Sequence, residues 1–145
     1  MRLTTFTDYS LRVLIYLAVK GEESATIAEI AKSYDISRNH LMKVVQELSQ
    51  QGYLIALRGK NGGLRLKATP AEINIGELVR VMEKDLSLAE CFGMNNHCVL
   101  TPACSLPTLF TEALEAFFAV LDGYTLEDIL PGKRRRELVK ILNIV

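Results

Sequence analysis

The sequence predicts a mainly α protein that contains a winged helix-turn-helix and a long C-terminal helix. Three observations support this fold class. Two short helical patterns joined by a brief turn occupy residues 24–52, a pattern typical of a β-hairpin follows at once, and a long amphipathic pattern begins at Ser105. We therefore divide the chain into a winged domain (residues 1–67), a connector with a cysteine loop (68–104) and a helical C-terminal region (105–145).

Length and composition limit the class of protein. With 145 residues, 49% of them hydrophobic, the chain is long enough to bury one core. The apolar run near the N-terminus is interrupted by Asp8, Ser10 and Arg12, and it has neither the length of a membrane span nor a small-residue cleavage site. We expect a cytoplasmic protein with no membrane contact.

The first two helices are predicted from apolar spacing. The N-terminal segment predicts a helix that ends near Val19, with Asp8 in its first turn or at its N-cap. The segment Asp35-Ile36-Ser37 interrupts the next helical pattern and predicts a turn. Before that turn, apolar residues recur at helical intervals at Ile27, Ile30, Ala31 and Tyr34.

A third helix is predicted from Ser37, a good N-cap residue, to a stop at Gly52. Helix pairs also occur in plain bundles, but a second helix that is polar and basic at its N-terminal end is typical of a helix-turn-helix, in which that helix enters the major groove. Its expected buried face is Leu41, Val44, Val45 and Leu48. Its expected outward face is Arg38, Asn39, His40, Lys43 and Gln46.

The stretch YLIALRGKNGGLRLK predicts a β-hairpin directly after the helix pair. Its strands would occupy residues 53–57 and 64–67, with Arg58, Lys60 and Asn61 near the tip. A hairpin in this position is the wing of a winged helix, and its cations can reach phosphates or the minor groove.

The net charge of zero conceals an asymmetry between the two halves of the chain. Residues 1–67 carry ten Lys/Arg and six Asp/Glu, whereas residues 68–145 carry seven and eleven. The basic half contains the helix pair and the hairpin, so we expect residues 1–67 to form a DNA-binding domain for double-stranded DNA. The expected DNA-contacting residues are Ser37, Arg38, Asn39, His40, Lys43, Arg58, Lys60 and Asn61.

The C-terminal region is predicted to mediate dimerisation. A short helix from about Ile75 leads to the cysteines, and a longer helix opened by Ser105 and Pro107 carries an aromatic stripe. The stripe could be plain core, but we favour a homodimer interface, because a small winged domain has little surface to cover it. A two-fold dimer predicts a palindromic operator. Residues 133–136 are interpreted as the solvated start of a last helix. The stripe consists of Phe110, Ala113, Leu114, Phe117, Phe118 and Leu121.

All three cysteines lie in one stretch with the spacing Cys91-x6-Cys98-x5-Cys104. Disulfides are rare in reducing compartments, and three thiols cannot all pair within one chain. Gaps of this width suit a loop around an iron–sulfur cluster better than paired zinc thiolates, although zinc and three unrelated thiols remain alternatives. His97 is one candidate for a fourth ligand. Neighbouring apolar residues are expected to shield the sulfurs, namely Phe92, Met94, Val99 and Leu100.

Four stretches of this chain give it a resemblance to a known family. The stretches FTDYSLRVLIYLA, ISRNHLMKVVQELSQQGYL, RGKNGGLRL and the cysteine stretch resemble the winged-helix iron–sulfur cluster transcription regulators, and most closely their nitric-oxide-sensing branch. The resemblance implies that Cys91, Cys98 and Cys104 hold a cluster, with [4Fe-4S] favoured over [2Fe-2S]. It also implies a homodimer, Asp8 of the other subunit as the fourth ligand and cluster control of operator binding.

The function that follows is a cluster-dependent, DNA-binding repressor that senses nitric oxide. The alternatives are a cluster- or metal-binding regulator of redox state or iron supply, and a metal-storage or electron-transfer protein, which would not need a basic wing. An enzyme is not expected, because no phosphate-binding loop, carboxylate dyad or nucleophile paired with a histidine occurs in the sequence.

Overall fold

The computed structural model describes residues 1–145, which form helices and one two-stranded antiparallel sheet. No helix has both the length and the apolar character that a membrane crossing requires. Short 3-10 turns lie at Pro70–Glu72, Glu90–Phe92 and Thr101–Ala103. The elements in chain order are α1 (Thr5–Lys20), α2 (Ile27–Tyr34), α3 (Arg38–Gln50), β1 (Leu54–Leu57), β2 (Gly63–Leu66), α4 (Ile75–Met82), α5 (Leu106–Asp122) and α6 (Gly132–Ile141).

Local capping determines the helix-turn-helix. Helix α2 begins with a capping box, in which the Thr26 hydroxyl accepts a hydrogen bond from the backbone N–H of Glu29 and the Glu29 carboxylate accepts one from the backbone N–H of Thr26. It ends at Asp35, whose φ of 53° is left-handed and stops the helix. The Ser37 hydroxyl then caps α3, as predicted.

The wing is anchored to the turn between α1 and α2. Strands β1 and β2 pair antiparallel, and Leu64 of β2 also forms a bridge to Ala25. Gly63 has a φ of 151°, and a Cβ there would lie 2.9 Å from the carbonyl oxygen of Ala25. The hydroxyl of Ser24 donates to the carbonyl oxygen of Asn61 at 3.0 Å, so the wing is held at its tip as well as at its base.

One hydrophobic core joins the three segments of the chain. Helix α1 packs against α3, α4 and α6, and its central residues Val13, Leu14 and Leu17 are almost fully buried. Leu126 and Leu142 belong to the same core. Residues 1–67, 68–104 and 105–145 therefore follow one another in sequence but do not have separate cores.

The structure corrects the interpretation of the aromatic stripe on α5. Phe118 is buried, and Leu114, Phe117 and Leu121 pack against the chain's own core, since α5 lies on α4. The guanidinium of Arg80 lies 4.3 Å from the Phe118 ring centroid and pairs with Asp122 on α5. Most of the stripe is thus intramolecular core, which sequence spacing alone does not distinguish from an interface.

An adjacent face of α5, which shares Ala113 with the stripe, is apolar and uncovered. Leu109 is 55% exposed and Val120 is 62% exposed. The spacing of the exposed apolar residues alternates between three and four, as in a coiled-coil seam. We call this set the α5 seam, and it consists of Leu106, Leu109, Ala113, Ala116 and Val120.

Candidate nucleic-acid interface and metal centre

The outward face of α3 is polar and free at its N-terminal end. Arg38, Asn39 and Lys43 are exposed, and Arg38 and Lys43 take part in no salt bridge. Opposite them, Leu41, Val44, Val45 and Leu48 are buried, as the apolar spacing predicts. The core therefore holds the helix while three polar side chains project from it.

His40 differs from the prediction. It is half-buried, and its ring packs edge-to-face against Tyr9 of α1, with 4.8 Å between ring centroids. Sequence spacing places His40 on the outward face of α3, and only the packing of α1 on α3 brings its ring against Tyr9.

The wing tip presents free cations. Arg58, Lys60 and Asn61 are all exposed, and neither Arg58 nor Lys60 pairs with an acid. Arg65, near the wing base, lies 4.0 Å from Glu22. Unpaired cations on an anchored hairpin are suited to phosphate contact.

The cysteines lie in an irregular segment between α4 and α5. All three are free thiols, with Cys91 and Cys104 half-buried and Cys98 exposed. Side chains brace the loop: Glu90 accepts from the backbone N–H of His97 at 2.8 Å, and Asn96 accepts from that of Cys98 at 3.0 Å. The loop is thus held by its own hydrogen bonds, and its three thiols are free to bind a metal.

Donor chemistry, rather than a preformed cage, makes this loop suited to a cluster. In the single chain, no group of three or more His, Cys, Asp or Glu side chains lies close enough to hold a metal ion. Three thiolates on one loop nevertheless form the soft donor set that iron–sulfur clusters use. The imidazole of His97 is exposed, with only its backbone N–H engaged.

The expected apolar shield is incomplete in the single chain. Phe92 is half-buried, with 6.4 Å between its ring centroid and that of Phe110 on α5. Met94, Val99 and Leu100 instead point outward, with exposures of 103%, 89% and 63%. The prediction that these three shield the sulfurs is wrong for the isolated subunit, because nothing within the chain packs on the outer side of the loop.

Within the chain, Asp8 shares neither a cavity nor a metal-holding group with the cysteines. It occupies the first turn of α1, where the N-cap is Thr4, so the alternative that Asp8 caps the helix is wrong. Its carboxylate pairs with Arg12 at 2.9 Å, with both side chains a little under half exposed. The two residues line an open cavity of about 610 Å³ that includes Tyr34 and no cysteine.

Two tyrosines surround the Arg12 guanidinium. It lies 5.6 Å from the Tyr9 ring centroid and 5.9 Å from that of Tyr34. The Tyr34 hydroxyl donates to the backbone carbonyl of Arg12 at 2.9 Å, and burial raises the pKa of Tyr34 to about 12. Arg12 is thus held by aromatic faces as well as by Asp8.

Sequence reasoning missed Glu83. Its carboxylate is buried at the end of α4 and accepts hydrogen bonds from the Thr7 hydroxyl, the Thr4 backbone N–H and the Thr4 hydroxyl, at 2.6, 3.0 and 3.1 Å. These bonds hold the first turn of α1 against the segment that leads to the cysteines. No local pattern reveals the contact, because the partners are more than 70 positions apart.

A free polar face on α3 and free cations on an anchored wing are the features of a winged helix-turn-helix transcriptional regulator, so the predicted fold class is confirmed. The chain belongs to the Rrf2 family, whose model is described as an iron-dependent transcriptional regulator and matches residues 3–132.

Similar proteins support this assignment. The HTH-type transcriptional regulator NsrR of Bacillus licheniformis is 54% identical over 132 residues, covering 90% of this chain and 92% of that protein. NsrR of Bacillus subtilis is 49% identical over 146 residues, 99% of each chain. The structure of CymR, the global cysteine regulator of B. subtilis, superposes with a TM-score of 0.70 at 29% identity, covering 89% of this chain and 95% of that one.

These relatives confirm the resemblance inferred from the motifs, because proteins this similar over nearly the whole chain are NsrR regulators. The chain is accordingly a DNA-binding transcriptional regulator and not an enzyme.

Proposed function

We propose that the chain is a homodimeric repressor whose operator binding is controlled by an iron–sulfur cluster and reversed by nitric oxide. The observation that carries the proposal is the set of three free thiols on one braced loop in a chain with a DNA-binding face. A metal-storage or electron-transfer protein would not require the free cations of the wing.

Cys91, Cys98 and Cys104 hold the cluster, with [4Fe-4S] favoured over [2Fe-2S]. The proposed fourth ligand is Asp8 of the partner subunit. No cysteine lines the cavity around the chain's own Asp8, so thiolate-held iron at that carboxylate would have to come from the other copy. The Asp8 and Arg12 side chains are a little under half exposed, and solvent-accessible pairs contribute only about 0–1 kcal/mol, so losing the contact with Arg12 would cost Asp8 little.

A second copy of the chain covers the α5 seam. An uncovered apolar row with alternating spacing of three and four residues is complementary to its own two-fold copy, and knobs-into-holes packing would bury Leu109 and Val120. A two-fold dimer presents two α3 helices, which predicts a palindromic operator.

Each half-site is read by α3 and held by the wing. Arg38, Asn39 and Lys43 contact base edges in the major groove, with Ser37 at the helix N-terminus beside a phosphate. Arg58, Lys60 and Asn61 contact phosphates or the adjacent minor groove.

The switch consists of two alternative partners for Asp8. The cluster supplies iron that reacts with nitric oxide. Asp8 bound to the partner's iron would tie the two winged domains together, whereas Asp8 paired with its own Arg12, which lies 2.9 Å away, would provide no such link. Loss of the tie changes the spacing of the two α3 helices and weakens simultaneous binding to both half-sites.

Anaerobic preparations test the proposal. Native mass spectrometry and absorbance give the cluster type and the dimer state, and operator affinity is measured for the holo protein, the apo protein and the holo protein treated with graded nitric oxide. We expect tight binding by the holo protein only, and equal affinity of the holo and apo forms would overturn the switch.

Two variants distinguish the role of the cysteine ligands from that of Asp8. Cys98→Ala should lose the cluster and specific binding together, whereas Asp8→Ala should keep a cluster on three cysteines and bind operator more weakly. Asp85→Ala, at an exposed acid before the loop, is the matched control. An Asp8→Ala protein with the spectrum, nitric oxide response and affinity of wild type would remove Asp8 from the ligand set.

A further inference from the structure

An aromatic pair joins the first turns of α1 to the recognition helix α3. The ring centroids of Tyr9 and His40 lie 4.8 Å apart with 60° between the ring planes. Tyr9 directly follows Asp8 in sequence, and both Tyr9 and His40 are half-buried. The proposed fourth ligand and the DNA-reading helix are therefore one aromatic contact apart.

Arg12 links the state of Asp8 to the Tyr9 ring. Its guanidinium pairs with the Asp8 carboxylate at 2.9 Å and lies 5.6 Å from the Tyr9 ring centroid. A change of partner at Asp8 leaves Arg12 without its counter-ion. The cation–π contact of Arg12 with Tyr9 changes as a consequence, because the same guanidinium makes both contacts.

The first turn of α3, which carries His40, is weakly capped. The cap of α3 is the hydrogen bond from the backbone N–H of His40 to the Ser37 hydroxyl, and its length of 3.5 Å is at the outer limit for such a bond. A loosely capped first turn depends on side-chain contacts for its orientation. Arg38 and Asn39 lie in that turn, so its orientation determines where their side chains meet the bases.

We propose that Tyr9 and His40 couple the Asp8 site to the recognition helix, and that His40 is a positioning residue and not a base-reading one. This inference rests on the proposed exchange of partners at Asp8. It revises the role expected for His40 from sequence, since a ring packed on Tyr9 is not free to project into the groove.

The test compares the ratio of holo to apo operator affinity in wild type, Tyr9→Leu and Tyr9→Phe, with Tyr124→Leu as a remote control at an exposed tyrosine. Tyr9→Leu should keep wild-type cluster absorbance while the ratio falls roughly three- to tenfold, the range expected for loss of one edge-to-face pair. Tyr9→Phe keeps the ring and should restore the ratio.

The outcomes separate this proposal from the one on which it rests. If the ratio of holo to apo operator affinity is one in wild type, both the cluster switch and the Tyr9–His40 coupling are overturned. A wild-type ratio above one that Tyr9→Leu leaves unchanged overturns only the coupling. If His40→Ala abolishes discrimination at one operator base equally in the holo and apo forms, His40 reads that base and the positioning role is wrong.

A second readout needs neither cluster nor DNA. The chain contains two histidines, His40 and His97, so histidine ring resonances can be assigned directly by NMR. In the apo protein, Asp8→Ala should shift the His40 ring signal and leave that of His97 in place, and Tyr9→Leu should abolish the shift. An unmoved His40 signal in the Asp8→Ala protein would show that the Tyr9–His40 contact does not transmit a change at Asp8 to α3.

Discussion

The Thr7 hydroxyl donates a 2.6 Å hydrogen bond to the Glu83 carboxylate, and both residues are buried although 76 positions separate them in the chain. Thr4 donates to the same carboxylate from its backbone and from its side chain. The helix that carries Asp8 is thereby held to the residue that begins the path to the cysteines.

We expect Glu83→Ala to lower the free energy of unfolding of the apo protein by about 2–3 kcal/mol, because it leaves the buried hydroxyl of Thr7 and two part-buried donors of Thr4 without an acceptor. Urea denaturation measures the change. Glu77→Ala, at an exposed acid of the same helix, should change stability by less than about 0.5 kcal/mol. Equal stability of the two variants would mean that water replaces the lost carboxylate.

Lys60→Ala should weaken binding to all DNA sequences and reduce the magnitude of the salt slope by about one unit, since one phosphate-bound cation is lost. Binding isotherms at several salt concentrations measure the slope. Lys140→Ala removes a cation that is likewise exposed, from α6, and should leave the slope unchanged. A wild-type slope for Lys60→Ala would take Lys60 off the list of phosphate contacts.

Asn39→Ala should relax specificity at about one base pair, at a cost of roughly 1–3 kcal/mol of discrimination, because its side chain is exposed at the base-reading end of α3. Affinity for a panel of operators with single-base changes measures the effect. Gln46→Ala, two turns further along the same helix, is the control. Uniform weakening across the panel would assign Asn39 to the DNA backbone.

Val120→Gln should raise the dimer dissociation constant by at least roughly tenfold, because burial of each valine side chain contributes about 1.5 kcal/mol and a two-fold interface contains two copies. Analytical ultracentrifugation of the apo protein measures the constant. Glu115→Gln introduces the same side chain elsewhere on α5 and should not weaken the dimer. An unaltered constant for Val120→Gln would exclude the α5 seam from the interface.

Burial of Tyr34 should make the folded chain less stable at high pH. Its pKa is raised by burial from 10.0 to about 12 in the folded chain, so its contribution is complete below pH 10 and declines until the pH passes about 12. Above pH 10 the unfolded chain loses the phenol proton first, which favours unfolding by up to about 2–3 kcal/mol. Unfolding of Tyr34→Phe, measured beside wild type from pH 8 to 12, should lack this component, and parallel curves would contradict the assignment.

The local patterns of the sequence were sufficient for the secondary structure and the DNA-binding face. Asp35 stops α2, Ser37 caps α3, and apolar spacing selects the buried side of each helix, all through contacts within a few residues. The exposed positions of Arg38, Lys43 and the wing cations follow from the same patterns. The family likewise follows from contiguous motifs.

The sequence by itself therefore determined the winged fold, the family and the residue types of the proposed cluster loop. Only the tertiary structure decided that most of the aromatic stripe of α5 packs in the chain's own core while Leu109 and Val120 are uncovered, that His40 packs on Tyr9, and that Glu83 holds the start of α1. The physical reason is that periodicity identifies an apolar or polar face of a helix but not the element that covers it. Pairings such as Thr7–Glu83 depend on how distant helices pack, and no local preference encodes them.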